Sequence, residues 1–382
     1  MLFYPRSMRS VFVLALALSL HTAGAQAPKQ APAADADEFL RQGISAQQHG
    51  DLKSAIDNYR KALAIQPGMV EARANLGAAL SAAGQFDAAI EEDLRVLAKA
   101  PNNVGVRMNL ALAYYKKGDM EHAHAELLVV HAARPLDLSN AVLLGYTYIK
   151  LGKANEAAEM LAPLEAGHEN NMDLEYVLAY ALIESGKATE GLPKMERVAR
   201  ETHSADAYFI AGSTRLHRRE FHEARADLDA AIELNASFPG LYTMAGQARD
   251  ALGDTDAALP AFEAALRADP RDFTANLYLG TMRLKQRDLE SAKPMLELAL
   301  QLQPTSTMAQ LQIAKLNSMT GKYAEAAAAL EQLEKADPNW LDPHIELAAI
   351  YYKLHRPEDG QRERDIVKQL EAKQQEAGPP KQ

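Results

Sequence analysis

Glycine and proline recur along this chain on a fixed beat. Gly50, Gly84, Gly118, Gly152 and Gly186 fall at equal steps, and so do Pro67, Pro101 and Pro135, and again Pro270, Pro304 and Pro338. The second proline series follows the first at four periods less one position, and Gly253 follows Gly186 at two periods less one. Both series therefore report one deletion, which falls in the loop around Ala199 to Ser204. Self-similarity at a fixed period outranks local propensity as a constraint, because it means a single supersecondary unit copied along the chain.

Each period has the same internal logic. An amphipathic stretch such as Val104 to Lys117 runs into Gly118, and a second, Met120 to Ala133, runs into Pro135. Apolar residues recur at three and four spacing in both, which predicts two helices per unit. Glycine after the first helix supplies a left-handed C-cap without steric cost, and proline cannot continue the second. Small residues mark where paired helices must approach closely. They are Gly77, Gly145, Gly212, Gly246 and Gly280 in first helices, and Ala55, Ala89, Ala123, Ala157, Ala224, Ala258, Ala292 and Ala326 in second helices. The composition agrees with an all-α chain: Ala and Leu dominate, and 48% of the 382 residues are apolar against 6% aromatic. One hairpin cannot bury its apolar face alone, so neighbours must stack into a continuous core, the architecture of an α-solenoid.

Tyr59, Ala62 and Pro67 in the first unit, and Gly246, Gly253, Ala258, Phe262, Ala265 and Pro270 in the seventh, carry a family pattern. The period and these residues resemble the tetratricopeptide repeat, over nearly all of residues 36–370. Units starting at Ala36, Val70, Val104, Leu138, Met172, Ala205, Pro239, Phe273 and Thr307 give nine repeats over residues 36–340. Leu341 opens a degenerate tenth repeat and capping helix over 341–372. The resemblance implies a right-handed superhelix of stacked helical hairpins, whose first helices line a concave surface that binds protein or peptide segments. Several residues depart from the pattern. Asp93 stands where an aromatic or aliphatic residue is usual, with Leu94 expected to take over its packing. Gly191 replaces an alanine, and Arg219 and Arg287 replace the turn glycine, so weaker packing or capping is expected there. His355 for glycine and Arg364 for an apolar residue suit a terminal helix with a wet outer face.

The ends read differently from the middle. Residues 1–25 carry Arg6 and Arg9, no acidic residue, an apolar run from Val11 to Leu20, and then Ala23-Gly24-Ala25. That order is a secretory signal peptide with cleavage expected after Ala25, and its apolar run is too short for the roughly twenty residues of a spanning helix. A periplasmic or secreted protein is expected, with no integral membrane segment once the signal is removed. The chain has no cysteine, which excludes a lipid-anchored lipoprotein, a thiol enzyme and a Cys-ligated metal module, and suits an oxidising compartment. Residues 26–35, rich in Ala, Pro and Gln, read as a flexible linker, and 373–382 as a disordered tail.

Catalytic motifs are missing. The sequence has no Gly-x-Ser-x-Gly, no phosphate-binding loop ending in Gly-Lys-Ser/Thr and no His-Glu-x-x-His, and His222-Glu223 is followed by Ala224-Arg225-Ala226. His122 and His124, two apart on a helix, point to different faces and do not make a shared metal site. No enzyme activity, cofactor or metal is therefore expected. A net charge of −10, becoming −12 once Arg6 and Arg9 are removed, argues against nucleic acid as a partner. The cations Arg215, His217, Arg218 and Arg219 read as a solvated helix end, or as a contact for an acidic ligand. Glu91-Glu92-Asp93 reads as a solvated outer face.

The resemblance also projects a groove, formed by first-helix positions two, five, six, nine, twelve and thirteen. In units three to six those positions hold Met108, Leu112, Tyr115, Tyr146, Ile149, Tyr176, Tyr180, Ile183 and Phe209, with Lys116 and Lys150 beside them. Other units place smaller or polar residues there, such as Ala74, Ala78 and Thr243. Aromatic anchors rimmed by cations suit a segment with apolar and acidic side chains. The same tyrosines and isoleucines could instead fill space between neighbouring first helices. Asn75 and Asn109 occupy the position from which family members hydrogen-bond a ligand backbone, although Ala74 and Ala78 remove the polar groups of a carboxylate clamp. The reading is a non-catalytic, exported scaffold holding a protein or peptide segment in its groove. The alternative is a structural part of an envelope assembly, such as polysaccharide export or secretion machinery, bridging components by its ends and convex face.

Overall fold

The computed structural model describes residues 31–376, and the segment read as a signal peptide lies outside them. The described residues form helices and short turns without strands. First helices are α1 (Ala31–Gln48), α3 (Val70–Ala82), α5 (Val104–Lys117), α7 (Leu138–Lys150), α9 (Met172–Glu184), α11 (Ala205–His217), α13 (Leu241–Ala251), α15 (Phe273–Lys285), α17 (Thr307–Met319) and α19 (Leu341–Lys353). Second helices are α2 (Leu52–Ile65), α4 (Phe86–Leu97), α6 (Met120–Ala133), α8 (Ala154–Glu165), α10 (Ala188–Thr202), α12 (Phe221–Leu234), α14 (Thr255–Ala268), α16 (Leu289–Leu302), α18 (Tyr323–Ala336) and α20 (Pro357–Glu376). Two boundaries differ from the sequence reading. Helix α1 begins at Ala31, inside the expected linker, because Pro32 in a first turn gives up no intrahelical bond. Helix α20 runs to Glu376, past the expected start of the tail, through helix-favouring Lys, Gln and Glu.

Local chemistry sets these boundaries. Asp51, Asn103, Asp119, Asp137 and Asn171 each accept a hydrogen bond from a backbone N–H three residues on, so that helices α2, α5, α6, α7 and α9 are capped. Gly118 closes α5 in the left-handed region at φ 90°. Arg219, Arg287 and His355 adopt the same conformation at φ 64°, 61° and 58°, so the turn keeps its shape where glycine is missing.

Packing within several hairpins follows one rule: a small residue in the first helix faces a large one sixteen positions later. A Cβ on Gly145 would lie 2.6 Å from Leu161, one on Gly246 2.7 Å from Phe262, and one on Gly280 2.8 Å from Leu296. Gly191 follows a different logic from the weakened contact expected of it. A Cβ there would sit 2.7 Å from the Ala179 carbonyl oxygen, so α9 and α10 approach at a distance only glycine allows.

Two compact units divide between Thr214 and Arg215. In the N-terminal unit an apolar core extends from Leu40 to Ala211, through fully buried Leu110, Leu143, Leu144, Leu174 and Leu178. The C-terminal unit has smaller clusters around Phe262, Leu296 and Leu330. Within each unit hairpins contact their neighbours in sequence, and first helices also touch the next first helix. First helices thus form the inner row of each solenoid. No described helix is long and apolar enough to cross a membrane.

Candidate functional site

The inner row of the N-terminal unit carries every candidate groove residue, and the structure sorts them by depth. Tyr115, Tyr146, Tyr176, Leu112 and Ile149 are buried, with 3% to 8% of their surface exposed. These side chains fill space between neighbouring first helices, so the expectation that they are anchors open to a ligand is corrected. Tyr115 and Tyr146 meet edge to face with ring centroids 5.8 Å apart, and their hydroxyls are hydrogen-bonded. Tyr176 and Tyr180 lie 6.4 Å apart. Burial pushes the Tyr146 phenol up to about 12 and holds Tyr176 well above the usual phenol range. The carboxylate of Asp206, in the first turn of α11, raises both further. Sequence reading misses Asp206, whose signal is its place at groove position two, one unit beyond Tyr176.

What stays accessible is narrower than the projected row. Met108, Tyr180, Ile183 and Phe209 are half-buried, as are Asn75, Asn109 and Lys116, and Lys150 is exposed. Lys150 sets its ammonium 5.1 Å from the ring of Tyr146 and 5.8 Å from that of Tyr180. A cation on ring faces is held by the aromatic quadrupole and keeps its outward side for solvent or an anion. Lys116, one unit earlier at the same position, is lowered from the usual lysine range by desolvation. The site therefore has one cation standing on two tyrosines, a second half-sunk beside it, and apolar patches along the row.

Two families of sequence patterns match the chain, and both are described as tetratricopeptide repeats. One matches residues 82–137, 176–240 and 243–307, the other 46–92 and 283–344. The chain belongs to the tetratricopeptide repeat family. No curated protein matches it. Among solved structures it is similar to the C-terminal part of a tetratricopeptide repeat protein from Cytophaga hutchinsonii at 18% identity, over 62% of this chain and 97% of that one, with a TM-score of 0.48. Yeast Tom70 aligns at 15% identity over 88% and 95%, TM-score 0.35. MamA protein aligns at 24% identity over 44% and 92%, TM-score 0.39.

Several other charged groups of this tetratricopeptide array pair within its own structure. Arg218 pairs with Glu220 at 2.7 Å in a solvated place, whereas Arg215 turns inward and pairs with buried Asp227 at 2.6 Å, so the reading of the cluster as a solvated helix end is corrected for Arg215. His122 pairs with Asp119 at 2.8 Å, whereas His124 packs 4.3 Å from the Tyr148 ring, so the two histidines diverge. Glu91 is exposed and pairs with Arg95, and Glu92 pairs with Arg73. Asp93 contradicts the reading of an outer acidic face: it is fully buried at the position where other units put Leu161, Phe262 or Leu296, facing Gly77. Leu94, expected to replace it in the core, is 47% exposed. A helix turns about 100° per residue, so Leu94 cannot reach the side that Asp93 occupies.

Proposed function

We propose that this chain is a non-catalytic scaffold that holds a protein or peptide segment along the inner first-helix row of its N-terminal unit. The observation that carries the reading is the ammonium of Lys150 on the rings of Tyr146 and Tyr180, with half-buried Met108 and Phe209 on the same row. An acidic side chain of the segment pairs with Lys150, apolar side chains settle on Met108, Tyr180 and Phe209, and Asn75 and Asn109 hydrogen-bond its backbone. Nucleic acid is disfavoured by the net charge of −10. The protein acts after export, in a periplasm or outside the cell, a reading supported by the signal pattern that ends at Ala25. Amino-terminal sequencing of the protein recovered from the envelope tests this, with Gln26 expected as the first residue.

Photo-crosslinking in living cells from a photoreactive phenylalanine in place of Phe209, with Lys150 intact or changed to Glu, tests the groove. Captured partners should be lost in the charge-reversed protein while it still melts cooperatively, within a few degrees of the wild type. Capture that survives the reversal refutes the site. A second reading, a structural role in an envelope assembly, is favoured by Leu94 and Leu128. They lie exposed on α4 and α6, one full period apart and so on equivalent second-helix positions. It requires that Leu94→Glu with Leu128→Glu disrupt assembly while Lys150→Glu is silent.

A further inference from the structure

Three hairpins share a polar module. In the second and third, Arg73 and Arg107 donate to the carbonyls of Pro67 and Pro101 at 3.0 and 3.1 Å, six residues back. The same guanidinia pair with Glu92 and Glu126, nineteen residues ahead. His344 in the last hairpin repeats both links: Nε2 lies 3.0 Å from the Pro338 carbonyl oxygen, and Nδ1 2.7 Å from Glu363 Oε2. Since a carbonyl only accepts, Nε2 carries a proton, and Nδ1 is the atom turned to the carboxylates.

Two differences set the last copy apart. Imidazole replaces guanidinium, which exchanges a group without lone pairs for one able to ligate. Glu334 appears four residues before Pro338, where the second and third modules have Leu63 and Leu97. Its Oε1 lies 4.0 Å from His344 Nδ1. His344 and Glu363 are 1% and 4% exposed, and one donor atom from each of the three residues falls within 4.8 Å of the others. A plain ion pair is complete without the added carboxylate: one imidazolium between buried Glu363 and half-buried Glu334 leaves a net negative charge. The cations Arg356 and Arg362 are already balanced by two other carboxylates: both pair with Asp359, at 2.6 and 2.7 Å, and Arg356 also lies 3.8 Å from Glu331. A divalent cation with neutral imidazole balances both carboxylates.

We infer that Glu334, His344 and Glu363 form a site for a divalent cation of the zinc type, joining α18, α19 and α20. Bonds of about 2.0 Å in a tetrahedron place ligand atoms about 3.3 Å apart, and the observed 2.7 and 4.0 Å straddle that value. Nε2–H on the Pro338 carbonyl is the outer-shell contact that fixes the ring with Nδ1 toward the ion. Three protein ligands leave a fourth position to water.

Titration calorimetry of the full chain with zinc chloride, together with thermal melting, tests the site. The wild type should bind one ion with micromolar or tighter affinity and melt at a higher temperature with zinc. His344→Arg restores the module of the second and third hairpins, so it should fold, keep its metal-free melting temperature and lose zinc binding. Glu334→Gln, which removes no hydrogen bond to His344, should weaken binding roughly 10- to 100-fold. Equal zinc binding by wild type and His344→Arg would assign the ion to other histidines and overturn the proposal. So would the absence of binding at about a hundred micromolar zinc with His344 still protonated on both nitrogens by NMR, which leaves an ion pair only.

Discussion

A carboxyl group whose oxygens have no hydrogen-bond partner stands at the centre of the second hairpin. Burial first, and the charge of Glu92 second, push Asp93 up to about 8. In an unfolded chain the same carboxyl ionises near pH ~4, so between these values the folded state holds a proton that the unfolded state has lost. Stability is therefore fully present at low pH and falls as pH rises toward about 8. Asp93→Asn should flatten this dependence, read by thermal melting from pH 5 to 8. Asp93→Leu restores the glycine-leucine contact of Gly145 with Leu161 and should stabilise by about 1–4 kcal/mol at pH 8, and by less at pH 5. Equal gains at the two pH values would refute the account. Arg287 makes a simpler case: its φ of 61° is a conformation that costs an L-residue roughly 1–2 kcal/mol, so Arg287→Gly should raise the unfolding free energy, measured by denaturant melting, by up to about 1 kcal/mol after the unfolded-state entropy is subtracted.

At the scale of the helices, the inner row separates packing from recognition. Tyr146→Ala empties a buried place between first helices and should cost about 3 kcal/mol, measured by denaturant unfolding, so that any loss of binding in this variant reports folding. Lys150→Glu gives up two cation–π contacts at an exposed side chain and should cost about 1–2 kcal/mol, well short of unfolding, while abolishing capture of an acidic segment. Gly191→Ala drives a methyl against the Ala179 carbonyl and should destabilise by roughly 1–3 kcal/mol, opposite to what helix propensity alone would give. The contrast explains what is legible in the residues. Hairpins, caps and close contacts can be read because each depends on spacing within one unit. The depth of Tyr115, Tyr146 and Tyr176 cannot, because it depends on how tightly adjacent hairpins wind. Asp93 escapes a sequence reading for a related reason: three acidic residues in a row suggest solvent, yet helical geometry sends the third inward.

Within each of the two units stability is distributed along a line, since hairpins contact mainly their neighbours in sequence. Amide exchange should accordingly be slowest in α7 and α9, which hold Leu143, Leu144, Leu174 and Leu178 at 1% exposure or less, and faster toward α1 and α20. A uniform exchange rate across all helices would contradict this. Within the N-terminal unit, the deleted residue falls where α10 ends on His203 in a left-handed conformation at φ 49°, and Ser204 caps α11 by accepting from Ala207. The fifth unit, Met172 to Ser204, is thus one position shorter than the units before it. Unequal crossover between gene segments encoding two ordinary units would preserve the reading of the lattice. An exchange involving the fifth would add or remove a residue only in that turn, and the helices on both sides would keep their own register. A recombination event that swaps, adds or drops an entire unit should therefore be tolerated across this joint as it is on either side of it.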